Sequence, residues 1–337
     1  MSRKTNINKH FDENVWEKVN KENKYLMDDF ISYLHSTDRA DTTIRGYKLD
    51  LQGFFCWFYN NCKNKEFYDI SKKDIMRYQG YLLNELNLGS SRIKRLKAVL
   101  SSLSNYIIKM LDDEYPEFKN IINLLDSPQN NFVREKTILS EEELNRLLDE
   151  LVKQERYKEA CYFAVLASSG VRKSEASRLK VQEFSDENIL SNAVYKTKPI
   201  KTKGRGKKGK MLNKYFLISI LEPYLSLWLR QREELGIENE YLFADRKRTL
   251  KETSADYWCE RATKILEKDV YSHSLRHYLT SYMSKHNVPS KIIKEYFGWA
   301  NIDMIDLYDD TQAEDSFSEY FTKDGIKQTE SKDINNL

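Results

Sequence analysis

The sequence predicts a mainly α-helical chain of two domains with a small antiparallel β-sheet in the second. Three observations predict it. Apolar residues in the first 126 positions recur at spacings of three and four, the period of a helix face, with no strand-like alternation. The polar stretch "DSPQNNFVREKT" at 126–137 interrupts that pattern with Pro128 and reads as a linker. Around 189–220, "ILSNAVYKTKPIKTKGRGKKGKMLNKYFLISI" suggests two short strands joined by a Gly- and Lys-rich turn. A length of 337 residues suffices for two cores of ordinary size.

The elements follow in order. Residues 1–19 are expected to be a flexible N-terminus, and 20–126 a helical domain. Within it Ile44, Tyr47, Leu51, Phe54 and Phe58 form one helical face, which Asp41 or Thr42 can cap. A second face runs Ile93, Leu96, Leu100, Leu103, Ile107, with Arg92, Lys94, Arg95 and Lys97 near its N-terminal end. Weaker helical patterns lie around Leu26–Leu34 and Ile75–Leu86. After the linker, 127–136, a second domain is expected over 137–312. Its opening "LSEEEL" has the form of a capping box, Ser140 capping and Glu143 reaching back. Helical patterns return beyond about 253. The final segment, 313–337, is acidic with a short apolar cluster at Phe317, Tyr320 and Phe321.

Composition excludes several function classes. No apolar run is long enough to cross a bilayer, and the first eighteen residues lack the apolar core of a secretion signal. The expected compartment is the cytoplasm, with no membrane partner. Cys56, Cys62, Cys161 and Cys259 are scattered without C-x-x-C spacing, so neither a disulfide framework nor a structural zinc site is expected. There is no H-E-x-x-H and no G-x-x-x-x-G-K-[ST], hence no expected metal, nucleotide or other cofactor.

The net charge of +3 conceals segregation. Lys196–Lys214 carries nine Lys or Arg and no acid, and Ser90–Lys109 carries five and no acid, so the remainder is net acidic. Cations focused in this way suit a local polyanion site. Taken alone, each segment also fits a solvated loop or an ordinary basic helix face.

The stretch "FGWANIDMIDLYDD" at 297–310 raises a chemical question, because Tyr308 is flanked by Asp306, Asp309 and Asp310. A free phenol lies about three pKa units from ionisation at neutral pH, worth roughly 4 kcal/mol, and nearby carboxylates oppose a phenolate. A tyrosine nucleophile attacking an anionic phosphodiester therefore needs several fixed cations converging on one point. Arginine suits that task, because its planar fork holds two phosphate oxygens. The leaving oxygen needs a proton donor such as lysine or histidine.

The chain offers such groups at scattered places. "SSGVRKSEASRL" at 168–179 puts Arg172 after a turn at Gly170 and at the start of a helix, with Glu175 on the same face. "HSLRHYLTSYM" at 273–283 puts His273 and Arg276 one helical turn apart. The Lys-rich turn supplies Lys201, Lys203 and Arg205. Each piece also has an ordinary structural reading: a surface ion pair, a hydrogen-bonded histidine, a core tryptophan at 299.

The ordered set is more specific than its parts. "GVRKSE", a Lys-rich hairpin, "HSLRH", "FGW" and "LY" follow one another, with nine residues from Trp299 to Tyr308. In this the sequence resembles the tyrosine site-specific recombinases, the family of phage integrases and the Cre and Xer recombinases. "TTIRGYKLDLQGFFCWF" also resembles a helix of that family's N-terminal core-binding domain. The resemblance covers roughly residues 24–322. It implies a two-domain DNA clamp, with a helical core-binding domain and an α-rich catalytic domain. Tyr308 then matches the nucleophile that forms a 3′-phosphotyrosyl bond, Arg172 and Arg276 the phosphate clamps, and His273 the general base. Trp299 matches a position held by His or Trp, and its indole can donate a hydrogen bond but cannot titrate. Glu175 matches the acid that supports the first arginine.

The hairpin is longer and richer in lysine than the family's usual turn. Lys203 is the first choice for its general acid and Lys201 the second. Arg92, Lys94, Arg95, Lys97 and Arg205 are the expected DNA contacts. The implied partners are double-stranded DNA with inverted-repeat half-sites and further copies of the chain, a dimer on one site and a tetramer in synapsis. The 313–322 segment is expected to dock on a neighbouring protomer. No arm-type domain is expected before the helical domain, an expectation that favours Cre/Xer-like action over lambda-type action. Rival readings are a type IB topoisomerase, a metal-dependent nuclease or transposase, and a DNA-binding regulator with an idle site.

Overall fold

The structure is a computed structural model that describes residues 11–129, 137–202, 209–246, 249–250, 252–308, 321–322 and 325–326. Lys203, Arg205, Asp309, Asp310, Phe317 and Tyr320 lie outside the described residues. The chain divides into two compact units, one formed by Ser2–Glu135 with Lys203–Lys210 and the other chiefly by Lys136–Thr202 and Met211–Leu337.

Over 11–129 the first unit is all helical. It contains α1 (Glu13–Lys18), α2 (Lys21–Ser36), α3 (Asp41–Asn61), α4 (Lys72–Gly80), prolonged by a wider turn at Tyr81–Glu85, and α5 (Ser90–Met110). The periodic faces meet in one core: Leu51, Phe54 and Phe58 of α3 are buried with Leu96, Leu100, Leu103 and Ile107 of α5. Phe54 meets Phe67 and Tyr78 edge-on, at 5.9 and 5.0 Å between ring centres, a favourable arrangement for aromatic quadrupoles. One cap differs from expectation. Ala40 is the N-cap of α3 and makes no side-chain cap bond, and Asp41 is the first helical residue, where its carboxylate faces the positive end of the helix dipole. On α4, Ser71 and Asp74 form a reciprocal capping box.

The second unit begins with the expected box. The Glu143 N–H donates to Ser140 Oγ at 3.2 Å, and the Ser140 N–H donates to Glu143 Oε2 at 2.8 Å. They open α6 (Glu141–Lys153), followed by α7 (Tyr157–Ser169). Every residue of α7 from Glu159 onward is buried, as its all-round apolar sequence requires. This central helix packs against α6, α9 (Ile218–Glu234) and α11 (Ser274–Lys285).

After the single turn α8 (Lys173–Ala176) come five strands rather than the two expected. β1 (Ile189–Leu190), β2 (Val194–Lys196) and β5 (Tyr215–Leu217) form an antiparallel sheet in which Tyr195 sits opposite Phe216, both buried. β3 (Ile200–Thr202) and β4 (Lys210–Leu212) form a separate ribbon. Strands of two or three residues are too short to show alternation in a sequence. α10 (Glu252–Leu266), α12 (Ser290–Phe297) and α13 (Met304–Tyr308) complete the unit. Further on, β6 (Phe321–Thr322) pairs with β7 (Gly325–Ile326). All four cysteines are free and buried. No helix of the described residues is long and apolar enough to cross a membrane.

Candidate active site

The site is built where α7, α8, α11, α12 and α13 converge. α7 stops at Gly170, whose φ of +60° ends the helix in the left-handed region. A Cβ there would sit 2.2 Å from the Phe297 ring, so glycine serves both the turn and the approach of α12. Arg172 follows as the N-cap of α8. Its backbone N–H donates to Glu175 Oε2 and its Nη1 to Glu175 Oε1, both at 3.0 Å. Glu175 is fully buried, whereas the Arg172 side chain keeps 34% exposure, so the pair is anchored inside and open at the guanidinium.

Arg276 enters from α11 and is 2% exposed. Its Nη1 donates to the Gly170 carbonyl at 2.6 Å, tying α11 to the end of α7. The guanidinium carbon lies 4.9, 5.2 and 5.4 Å from the ring centres of Phe297, Trp299 and Tyr308. Burial and the neighbouring Arg172 pull its pKa down to about 10, so it stays charged at neutral pH.

Gly298 closes α12 at φ +66° and turns Trp299 back toward the site. The Trp299 ring stacks between Phe297, at 4.4 Å and 9°, and Tyr308, at 5.3 Å and 17°. Tyr308, the last residue of α13, is 7% exposed. Its hydroxyl lies 2.8 Å from His273 Nε2, and its carbonyl oxygen 3.3 Å from His277 Nδ1.

Three buried donors around this ring have no hydrogen-bond partner among the described residues: Arg276 Nε, Arg276 Nη2 and Trp299 Nε1. An unmet buried donor costs about 1–3 kcal/mol, and more when charged. Two of the three sit on a cation, and an anion with several acceptor oxygens would satisfy them together.

Arg172, Glu175, His273, Arg276, Trp299 and Tyr308 are thus brought together from four separate stretches of sequence. Other expected residues lie elsewhere. Lys201 is exposed on β3, and its carbonyl accepts from Arg178 Nη1 at 3.0 Å. In the first unit Asp50, 2% exposed, holds Arg92 through a two-bond fork at 2.6 and 3.2 Å, with Arg95 Nε at 3.5 Å. Arg95 stays exposed, and Lys94 is half-buried. Lys97 does not belong to an exposed basic face. It is 4% exposed and donates to the Leu125 carbonyl, so the i+3 to i+5 positions after Arg92 diverge between surface and core.

Sequence reasoning missed two side chains. His277, one turn after His273, could have been found from its position four residues on along the same helix face. Lys214 is the other. Its side chain is 4% exposed and its Nζ lies 3.4 Å from Glu175 Oε2. The signal was present: Lys214 is two residues before the buried Phe216, hence on the same side of an extended chain.

Comparison with known proteins shows the family and the fold. The model of the phage integrase family matches residues 137–315, and that of the phage integrase N-terminal SAM-like domain matches 26–117. The SPbeta prophage-derived recombinase-like protein YomM of Bacillus subtilis (strain 168) is 30% identical over 294 residues, covering 84% of this chain and 85% of that protein. Tyrosine recombinase XerA of Pyrococcus horikoshii is 24% identical over 293 residues, 85% of this chain and 89% of that one. The crystal structure of XerH site-specific recombinase bound to palindromic difH substrate, a post-cleavage complex, shares the fold with a TM-score of 0.65 at 22% identity, over 82% of this chain and 78% of that chain. The chain belongs to the phage integrase family and is a tyrosine recombinase.

Proposed function

We propose that the protein cleaves and rejoins double-stranded DNA at inverted-repeat sites, with Tyr308 as nucleophile. The phenol oxygen attacks a backbone phosphorus, a 3′-phosphotyrosyl bond forms, and the bond to the 5′-oxygen breaks to leave a 5′-hydroxyl. The phenolic proton passes to His273 through the 2.8 Å contact. Arg172 and Arg276 hold the nonbridging oxygens, and Trp299 donates to one of them. A hairpin lysine, Lys203 before Lys201, supplies the proton to the leaving oxygen. The phosphotyrosyl ester retains the energy of the broken bond, so rejoining by the reverse attack needs no ATP.

The observation that carries this reading is the trio of buried, unmet donors against the Tyr308 ring. In the family setting, residues about 20–126 act as the DNA core-binding domain and 137–312 as the catalytic domain. Two protomers occupy one site, a tetramer joins two sites, and the 313–322 segment docks on a neighbouring protomer. The XerH structure contains a palindromic DNA substrate, which agrees with inverted half-sites.

The test traps the protein on nicked duplex oligonucleotides tiled across the DNA around its gene. Wild type should form a covalent adduct in EDTA, and Tyr308→Phe should bind DNA without forming one. A Tyr308→Phe protein that still forms the adduct would refute the assignment. Supercoil relaxation with no preferred sequence would favour a topoisomerase instead.

A further inference from the structure

We infer that Lys214 is a positioning residue for strand cleavage: its ammonium holds the buried carboxylate of Glu175, and Glu175 in turn fixes the guanidinium of Arg172. The inference rests on the reading of Arg172 as a phosphate ligand. It concerns a lysine outside the turn that carries Lys201 and Lys203.

The geometry is a relay of contacts. Glu175 Oε2 receives the Arg172 N–H at 3.0 Å and lies 3.4 Å from Lys214 Nζ, while Oε1 receives Arg172 Nη1 at 3.0 Å. Both oxygens are therefore engaged, and the carboxylate cannot rotate without breaking a contact. The backbone of Lys214 is equally fixed. Its N–H donates to Thr197 Oγ1 at 3.0 Å, and its carbonyl accepts the Thr197 N–H at 2.9 Å. This two-way clasp extends the β2–β5 pairing by one step and points Lys214 inward beside the buried Phe216.

Electrostatics gives the relay a purpose. A buried carboxylate is costly unless paired, and a partly exposed arginine is a loose partner. Burial pushes the Glu175 carboxyl up, but Lys214, then the Arg172 backbone N–H and guanidinium, outweigh it and hold it below the usual range. Lys214 is itself lowered by burial and by Arg276 and Arg172, with Glu175 opposing. The charged groups facing Glu175 are thus Lys214, Arg172 from the start of α8 and Arg276 from α11. Three cations against one carboxylate leave a surplus of two positive charges, which suits a phosphorane that carries more negative charge than the starting diester. Without Lys214, Glu175 would protonate at higher pH and release Arg172 Nη1.

The test uses the full chain in two measurements. The first follows the carboxyl carbon of Glu175 by 13C NMR as pH is lowered, in wild type, Lys214→Met and Lys214→Arg. The expected result is a carboxylate that stays ionised below the ordinary glutamate range in wild type and Lys214→Arg, and titrates higher in Lys214→Met. A wild-type carboxyl that titrates at or above the ordinary value overturns the inference without any variant. The second measures adduct formation on the tiled nicked duplexes from pH 5 to 9. Lys214→Met should be slowed roughly 100-fold at low pH, the scale expected for a misplaced ligand, and recover as pH rises, with Lys214→Arg restoring most of the rate. A Lys214→Met protein with the wild-type rate and pH profile overturns the inference. Failure of wild type to form any adduct counts against the function proposed above, while the carboxyl titration still decides the link from Lys214 to Glu175.

Discussion

The Tyr308 hydroxyl lies 2.8 Å from His273 Nε2, joining the end of α13 to the residue that precedes α11. His273 can therefore take the phenolic proton without moving, provided Nε2 is the unprotonated nitrogen.

Replacing His273 with Gln keeps a polar partner near Tyr308 but removes a group able to accept the proton. Single-turnover cleavage of a nicked duplex should slow by roughly 10²–10⁴-fold, with DNA affinity preserved. An unchanged rate would remove His273 from the proton path.

Trp299→Phe separates stacking from hydrogen bonding. Phenylalanine keeps a ring between Phe297 and Tyr308 but loses the unmet Nε1–H. Adduct formation should fall about 10- to 100-fold, the value of one hydrogen bond to a charged group. Thermal stability in the absence of DNA should hold or rise, because a buried donor without a partner is gone. A less stable protein with unchanged cleavage would assign Trp299 to packing.

Asp74 links the first unit to pH. Burial raises its pKa, but Lys65 Nζ at 2.8 Å and the Ser71 hydroxyl at 2.6 Å outweigh it and bring it to about 2. A depressed carboxyl stabilises the fold fully above its unfolded pKa and loses that contribution as pH falls through its folded one. The window is therefore from about pH 4 down to about pH 2, and the contribution, discounted for solvent screening at the partly exposed Lys65, is about 1 kcal/mol. Asp74→Asn should lower the denaturant midpoint at pH 7 and flatten its acid dependence. An identical acid limb in both proteins would contradict this.

The basic end of α5 yields a contrast between neighbours. Arg95→Ala should reduce the slope of log affinity against log salt by about one phosphate contact. Lys97→Met should leave that slope unchanged, because the Lys97 ammonium faces the Leu125 carbonyl inside the first unit. Equal effects of the two would place Lys97 on DNA.

Much of this was legible from residue order. The faces Ile44–Phe58 and Ile93–Ile107 became α3 and α5, because burial of a continuous stripe is a local consequence of helical period. "GVRKSE", "HSLRH", "FGW" and Tyr308 carried the site because each sits at a helix end, where local rules fix direction. What escaped notice were charges turned inward. Lys97 is expected on DNA, and Lys214 lies in a segment that suits either a polyanion site or a solvated loop, yet Lys97 meets the Leu125 carbonyl and Lys214 the buried Glu175, each from a distant stretch. Asp50 likewise gathers Arg92 and Arg95 from 42 or more residues away, a pairing that helical period alone does not specify.

The central claim is that residue 308 becomes the covalent attachment point, and peptide mass spectrometry of the trapped adduct tests it most directly. After the DNA is trimmed with nuclease, the nucleotide should remain on the tryptic peptide containing Tyr308, joined through a 3′-phosphate, with a 5′-hydroxyl on the released strand. A nucleotide carried by any other residue, or a free 3′-hydroxyl at the break, would contradict the account.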